Sequence, residues 1–209
     1  MTETRPISDW RDGFLFLGNQ LALDFLNTRP ILNGKLTELL PNFSAVLKWF
    51  RAAELVSARD TTGLRQQWEG SARAQRTVQS MHEFREQLRN EVLSWEQGGA
   101  VHRSTVTGLN RLLAEHPMLA RVKLEAASTV RELWFNVKNP EDLLAPLGHA
   151  AASLFTDVDR NRVHKCANCV GHFLDTSKNG TRRWCSMQLC GNRLKVAAYA
   201  ARQRAHDRN

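Results

Sequence analysis

Four cysteines lie within twenty-five residues of one another, in two close pairs. Two residues separate the members of the first pair and four separate those of the second, with fifteen residues between the pairs. Such pairs can fold back to place four thiolates about 2.3 Å from one tetrahedral metal ion, the geometry of structural zinc. A redox dithiol also uses a Cys-x-x-Cys spacing, but it needs no second pair. The pattern therefore predicts one structural Zn²⁺ bound by Cys166, Cys169, Cys185 and Cys190.

Enzymatic activity is not expected from this metal or from other parts of the sequence. Four cysteine ligands keep no coordination position open for water or substrate, and a catalytic zinc needs one. His164 and His172 could replace a cysteine or contact phosphate, but we interpret them as exposed loop histidines. No Ser-His-Asp order, phosphate-binding glycine loop or carboxylate pair indicates catalysis elsewhere.

The net charge of +8 comes from the last fifty residues. Residues 1–159 carry 18 Lys and Arg against 19 Asp and Glu, whereas residues 160–209 carry 11 against two. A basic segment of this kind attracts polyanions, so we predict nucleic-acid contact; a merely solvated basic face is the alternative. The residues predicted to make this contact are Lys178, Arg182, Arg183, Asn192, Arg193, Lys195, Arg202 and Arg204.

The elements that must position these residues are mainly helical. Apolar side chains at spacings of three or four predict helices from residue 21, over 42–53, over 64–95 with a break at Gly70, over 104–115 and from Asn139 onward. Asn42 and Ser104 are the expected N-caps of two of these helices. Alternating polarity predicts two strands, 121–126 and 130–137, forming a β-hairpin.

We therefore expect a mainly α protein with a small hairpin, divided into a helical domain (1–157) and a four-cysteine finger (158–209). The polar stretch 157–164 is the candidate linker. Within the finger we expect a zinc knuckle, a hairpin and a basic helix, because the alanine-rich stretch after Cys190 has strong helix propensity.

Four polar residues accompany the first predicted helix and have two readings. They could line a pocket for a small effector, or they could cap and terminate the helix. These residues are Asp24, Asn27, Thr28 and Arg29.

A membrane location is not expected, because no stretch approaches the roughly 20 apolar residues that span a bilayer and no basic segment leads into an apolar run at the start. Hydrophobic residues make up 42% and charged residues 24%, as in soluble globular proteins. We predict a cytoplasmic protein, and in that reducing compartment cysteines hold metal more often than they form disulfides.

Two stretches resemble a known family. Residues 173–187 and Cys190-Gly191-Asn192-Arg193 resemble the CGNR zinc finger, and residues 17–28 resemble the opening motif of the ABATE domain that precedes this finger. The resemblance implies the same four cysteine ligands and a stress-induced bacterial transcription regulator whose finger contacts DNA. We expect the helical domain to sense a small effector or to form a homodimer. The alternative is a protein-interaction finger that docks on an acidic partner such as the transcription machinery.

Overall fold

The structure is a computed structural model that describes residues 9–32 and 34–191. Helices provide most of its regular structure, which confirms the predicted fold class. They are α1 (Leu21–Leu26), α2 (Phe43–Ala52), α3 (Ala58–Trp68), α4 (Ala72–Glu96), α5 (Arg103–Glu115) and α6 (Leu144–Thr156). None of these helices has the length and apolar character needed to cross a membrane.

The strands of the described residues form four antiparallel hairpins of two strands each. Their bounds are β1 (Trp10–Arg11) with β2 (Phe14–Leu15), β3 (Ile31–Leu32) with β4 (Lys35–Leu36), β5 (Leu119–Glu125) with β6 (Ser128–Trp134), and β7 (Val163–Lys165) with β8 (His172–Leu174). The last pair carries the first two cysteines in its connecting loop, so it belongs to the finger.

The main core surrounds α1, which is buried from Ala22 to Leu26. Gln20 caps this helix, because its side-chain oxygen accepts hydrogen bonds from the amides of the first turn while its Nε2 donates to the carbonyl of Ala150 in α6 (2.6 Å). Phe25 of α1 packs on Trp49 of α2, with ring centroids 5.9 Å apart. A first helix this buried must have its ends satisfied by protein groups rather than by water.

Three predicted features of the helical part are confirmed and one is wrong. Asn42 caps α2 by accepting from the amide of Ala45 (2.9 Å), and residues 64–95 break where Gly70 adopts a φ of +75°. The helix after residue 139 also forms, since Asn139 and a capping box start a short 3₁₀ turn that continues into α6. Ser104 is not the cap of α5, because the helix begins at Arg103 and its N-cap is His102.

The start of α5 is capped instead by a carboxylate from another helix. Glu91 of α4 accepts from the amide of His102 (2.9 Å) and from the hydroxyl of Thr105. Glu91 is buried, and Nδ1 of His102 also lies 3.1 Å from both of its carboxylate oxygens. The local sequence around residue 104 does not reveal a cap supplied from α4.

The β5–β6 hairpin lies near its predicted position, but the predicted strand bounds are wrong. The turn is Ala126-Ala127 and Leu119 pairs with Trp134, so the strands begin and end earlier along the chain. Register in a hairpin follows the turn, and a two-residue turn fixes every later pair. Val122 and Leu124 share a side of the hairpin, as expected from the alternation, and are 77% and 73% exposed.

The stretch 157–164, considered as a linker, is folded. Arg160–Arg162 form a 3₁₀ turn and Val163, which starts β7, is buried in the main core. The helix predicted after Cys190 lies outside the described residues.

Candidate metal centre

The four cysteine sulfur atoms all lie within 4.8 Å of one another. The Sγ atoms of Cys169 and Cys185 are 3.6 Å apart, and so are those of Cys185 and Cys190. Four sulfurs placed about 2.3 Å from one tetrahedral zinc ion would be separated by about 3.8 Å. The structure therefore brings the four predicted ligands to the spacing that a single zinc ion requires.

The first cysteine pair sits in a tight loop between β7 and β8. The amide of Cys166 donates to the carbonyl of Gly171 (2.8 Å), and the amide of Gly171 donates to the sulfur of Cys169 (3.3 Å). The amide of Asn168 points in the same way at the sulfur of Cys166 (3.5 Å). Backbone donors of this kind stabilise negative charge on a ligating sulfur and fix its direction.

The second pair is held by a helical turn, Met187–Gly191. The carbonyl of Ser186 accepts from the amides of Cys190 and Gly191, each at 3.0 Å. The hydroxyl of Ser186 donates to the carboxylate of Asp9, a residue that precedes the helical part. The turn that presents Cys190 is thus fastened to the other end of the described chain.

The electrostatics of the cluster call for a cation. The hydrogen bonds that the sulfurs share lower the pKa of the Cys166 thiol and raise the pKa of the Cys169 and Cys185 thiols. Sulfurs this close cannot all be ionised while no positive charge lies between them. A bound Zn²⁺ reverses this balance, because it ligates thiolates and so displaces their protons.

Asp175, which follows β8, organises the loop between the two cysteine pairs. Its carboxylate is fully buried and accepts from the amides of Ser177 and Arg182, both at 2.8 Å. Burial raises the pKa of this carboxyl, but the donors from Ser177 and Arg182 outweigh it and lower the pKa to about 2. Asp175 is a structural residue of the finger that sequence reasoning missed. The signal was the Asp-x-Ser order, which is typical of a turn closed by an aspartate side chain.

Of the predicted nucleic-acid contacts, Arg182 is engaged within the finger. Its guanidinium donates to the carbonyls of Trp184 (2.7 Å) and Cys185 and lies 4.7 Å from the ring centre of Phe173. Lys178 and Arg183 are exposed on the same loop. The other five, Asn192, Arg193, Lys195, Arg202 and Arg204, lie outside the described residues. Nucleic-acid contact therefore stays a prediction.

The interpretation of His164 and His172 as exposed loop histidines is wrong, because both lie on strands. His172 is 1% exposed, and its burial together with the charges of Arg89 and Lys165 lowers its pKa to about 4. His164 is half-buried beside the ring of Phe173, with centroids 5.7 Å apart. The hairpin packs against the helical part, which sequence spacing alone does not reveal.

Three of the four polar residues at α1, Asp24, Asn27 and Thr28, are buried, and Asp24 and Thr28 hold the helix in place. Asp24 accepts from the amide of Gly18 (2.7 Å), and burial raises the pKa of this carboxyl to about 6 although that bond and Arg11 lower it. The hydroxyl of Thr28 donates to the carbonyl of Phe25 and accepts from the guanidinium of Arg85, both at 2.7 Å. These contacts match the capping reading of the motif.

Asn27 and Arg29 border a cavity of about 190 Å³ between the helical part and the finger. Arg29 also pairs with Glu86, with 3.2 Å between nitrogen and oxygen. The cavity is mostly apolar, and its finger side is formed by Cys169, Val170 and Leu189 among others. Asp24 and Thr28 do not line it. Effector binding by this motif stays a prediction.

Two family models match the chain. Residues 19–158 match ABATE, described as "Putative stress-induced transcription regulator", and residues 162–203 match the CGNR zinc finger. A search of curated proteins found no match. The resemblance seen in the sequence is confirmed. So is the prediction of a structural zinc ion, because the zinc-finger match and the clustered sulfurs agree.

Proposed function

The chain belongs to the ABATE family and carries a CGNR zinc finger, and from this premise we propose that it is a DNA-binding transcription regulator. In this proposal the zinc ion has no catalytic role, since four cysteines fill its coordination. It orders the finger, and the finger supplies positive charge to the DNA backbone. The excess of basic residues in 160–209, 11 against two acidic ones, is the charge that the backbone attracts.

One observation carries the proposal: two exposed cations sit on a loop that is fixed on both sides. Lys178 lies within the segment that Asp175 closes through the amides of Ser177 and Arg182, and Arg183 directly follows it. Arg182 ties that segment to the carbonyl of the ligand Cys185. When the loop that carries the cations is already ordered, binding to phosphates does not have to overcome the entropy cost of ordering that loop.

The test compares two double variants with the same change in charge. Lys178→Glu/Arg183→Glu alters the finger loop, and Arg59→Glu/Arg65→Glu alters two exposed cations of α3. Binding to a labelled pool of random-sequence duplexes is measured by fluorescence anisotropy between 50 and 200 mM salt.

We expect the finger variant to bind at least about tenfold more weakly, with a salt slope smaller by about 2, since each lost phosphate contact removes about 0.9. The α3 variant should stay near wild type. Equal affinity of the two variants would contradict the proposal. Arg182 is not used in this test because its side chain holds the finger together.

The protein-interaction alternative uses the same cations on an acidic partner. It is selected if a pull-down with the zinc-loaded chain recovers the same protein after nuclease treatment while no duplex in the pool is shifted. Loss of that capture in the Lys178→Glu/Arg183→Glu variant would locate the contact on the loop.

Effector sensing by the helical domain is the second part of the proposal, and the 190 Å³ cavity supports it. Its apolar lining and its size, smaller than typical drug-sized sites of about 300–1,000 Å³, suit a small apolar molecule. Benzene and indole are suitable probes, with binding read as a rise in Tm. Val170→Phe, which places a ring in the cavity, should abolish that rise; no rise with wild type would count against this part.

A further inference from the structure

One side chain of the helical domain makes two hydrogen bonds to the backbone of the finger. Asn27, which directly follows α1, donates from Nδ2 to the carbonyl of His172 and accepts at Oδ1 from the amide of His172, both at 2.8 Å. Asn27 is 3% exposed. A buried amide that pairs with both polar groups of one residue fixes the position and the direction of that strand.

His172 is adjacent to Gly171, the residue that holds the first two sulfurs in place. Gly171 precedes His172, donates its amide to the sulfur of Cys169 (3.3 Å) and accepts at its carbonyl from the amide of Cys166 (2.8 Å). A Cβ atom on Gly171 would lie 3.3 Å from Oδ1 of Asn27 and 3.4 Å from Sγ of Cys169. Close contacts therefore connect Asn27 to Gly171 and Gly171 to Cys169.

A second contact between the same elements lies farther from the sulfurs. Asn19 donates from Nδ2 to the carbonyl of Leu174 (2.9 Å), and this bond is exposed. Asn19 therefore resembles Asn27 in chemistry and in the strand that it contacts. It differs in making one bond instead of two, and in contacting the far end of β8 from Gly171.

We propose that Asn27 is a positioning residue of the zinc site, and that through it zinc binding by the finger is coupled to the stability of α1. By holding His172, Asn27 orders the ligand loop before the metal arrives, which lowers the ordering cost of metal binding. Coupling between two sites is reciprocal, so zinc stabilises α1 by the same factor by which Asn27 strengthens zinc binding.

Zinc affinity is measured on the full chain by competition with a chromophoric chelator. Groups that hydrogen-bond directly to a metal ligand typically change metal affinity by 10–100-fold. Asn27 acts one step further away, through the Gly171 amide that donates to Cys169, so we expect Asn27→Ala to weaken zinc binding by about tenfold, the lower end of that range. Asn19→Ala should change it by less than about threefold. Val46→Ala, a cavity variant in the buried face of α2, controls for general instability and should lower Tm without changing zinc affinity.

A second readout separates positioning from simple stability. In wild type, removal of zinc should raise amide hydrogen exchange in Leu21–Leu26 by the same factor that Asn27→Ala costs in zinc affinity. In Asn27→Ala, zinc removal should raise that exchange by a much smaller factor, because among the described residues only the bonds of Asn19 and Gly18 to Leu174 still join these elements. If Asn27→Ala fails to fold, Asn27→Ser serves in its place.

Two results would overturn the proposal. One is a zinc affinity of the Asn27 variant equal to that of Asn19→Ala. The other is a rate of amide hydrogen exchange in α1 of wild type that stays the same when zinc is removed. Neither measurement involves DNA, so the outcome is independent of the proposed function.

Discussion

Gly18 and Asp24 are joined so closely that no side chain fits between them. The amide of Gly18 donates to the Asp24 carboxylate at 2.7 Å, and a Cβ atom on Gly18 would lie 2.7 Å from the backbone nitrogen of Asp24. That nitrogen is part of α1 and cannot move aside without shifting the helix. The glycine of the opening motif is therefore required by a close approach of backbone to backbone.

We expect Gly18→Ala to destabilise the protein by about 1–3 kcal/mol, the usual cost of forcing extra atoms into a packed site. The measurement is urea unfolding of the zinc-loaded chain. Gly63→Ala is the matched control, because Gly63 lies inside α3 with nothing within 4 Å of an added Cβ. Alanine there should raise stability by about 0.5–1 kcal/mol. Similar unfolding midpoints for the two variants would contradict this reading.

Removal of Asp175 should loosen the finger loop. Asp175→Ala leaves the amides of Ser177 and Arg182 without their acceptor, which costs about 1–3 kcal/mol. The folded pKa of about 2 is below the ordinary 3.8, so the stabilisation is complete above pH 4 and is lost as the pH falls through 2.

The check is the stability difference between zinc-loaded wild type and Asp175→Ala, which should stay constant from pH 7 down to about pH 5, the range above that in which protons displace zinc from the cysteines. The exposed Asp157 supplies the control, since Asp157→Ala should change stability by less than about 0.5 kcal/mol. A stability difference of less than about 0.5 kcal/mol at pH 7 would argue against the role of the carboxylate.

Zinc loading should release protons and require all four sulfurs. Four sulfurs within 4.8 Å of one another cannot all be ionised without a metal ion between them, so the metal-free cluster holds protons at neutral pH. Calorimetric zinc titrations in buffers of different ionisation enthalpy should reveal this release. Cys185→Ser should lose the one bound zinc by mass spectrometry, whereas His164→Gln should keep it. A Cys185→Ser chain that retains full zinc would point to a different ligand set.

Local sequence signals predicted what depends on neighbouring residues. The cysteine spacing, the Asn42 cap and the break at Gly70 are of this kind. What sequence reasoning missed depends on contacts between separate elements of the fold. Glu91 caps a helix that starts eleven residues further along the chain, and Asn27 hydrogen-bonds to His172, which is 145 residues away. A polar residue reads as a surface group until its partner's position is known, and the partner's position is a property of the tertiary fold.

Arg182 and Arg183 are neighbours of identical chemistry with different surroundings, so they give the sharpest comparison within the finger. Arg182 donates to the carbonyls of Trp184 and of the ligand Cys185. A hydrogen bond from a charged group contributes about 1.5–3 kcal/mol. Arg182→Ala should therefore destabilise the finger by about that amount and weaken zinc retention. Arg183 is exposed and its guanidinium lies 6.0 Å from the ring centre of Trp184, so Arg183→Ala should change stability by at most about 1 kcal/mol. Two quantities are measured on both variants: the rate of zinc release into a chelator and the affinity for duplex DNA. Zinc release should become faster only in Arg182→Ala. Arg183→Ala should retain its zinc and bind DNA more weakly. Equal zinc retention in both variants would mean that the Arg182 contacts do not stabilise the finger.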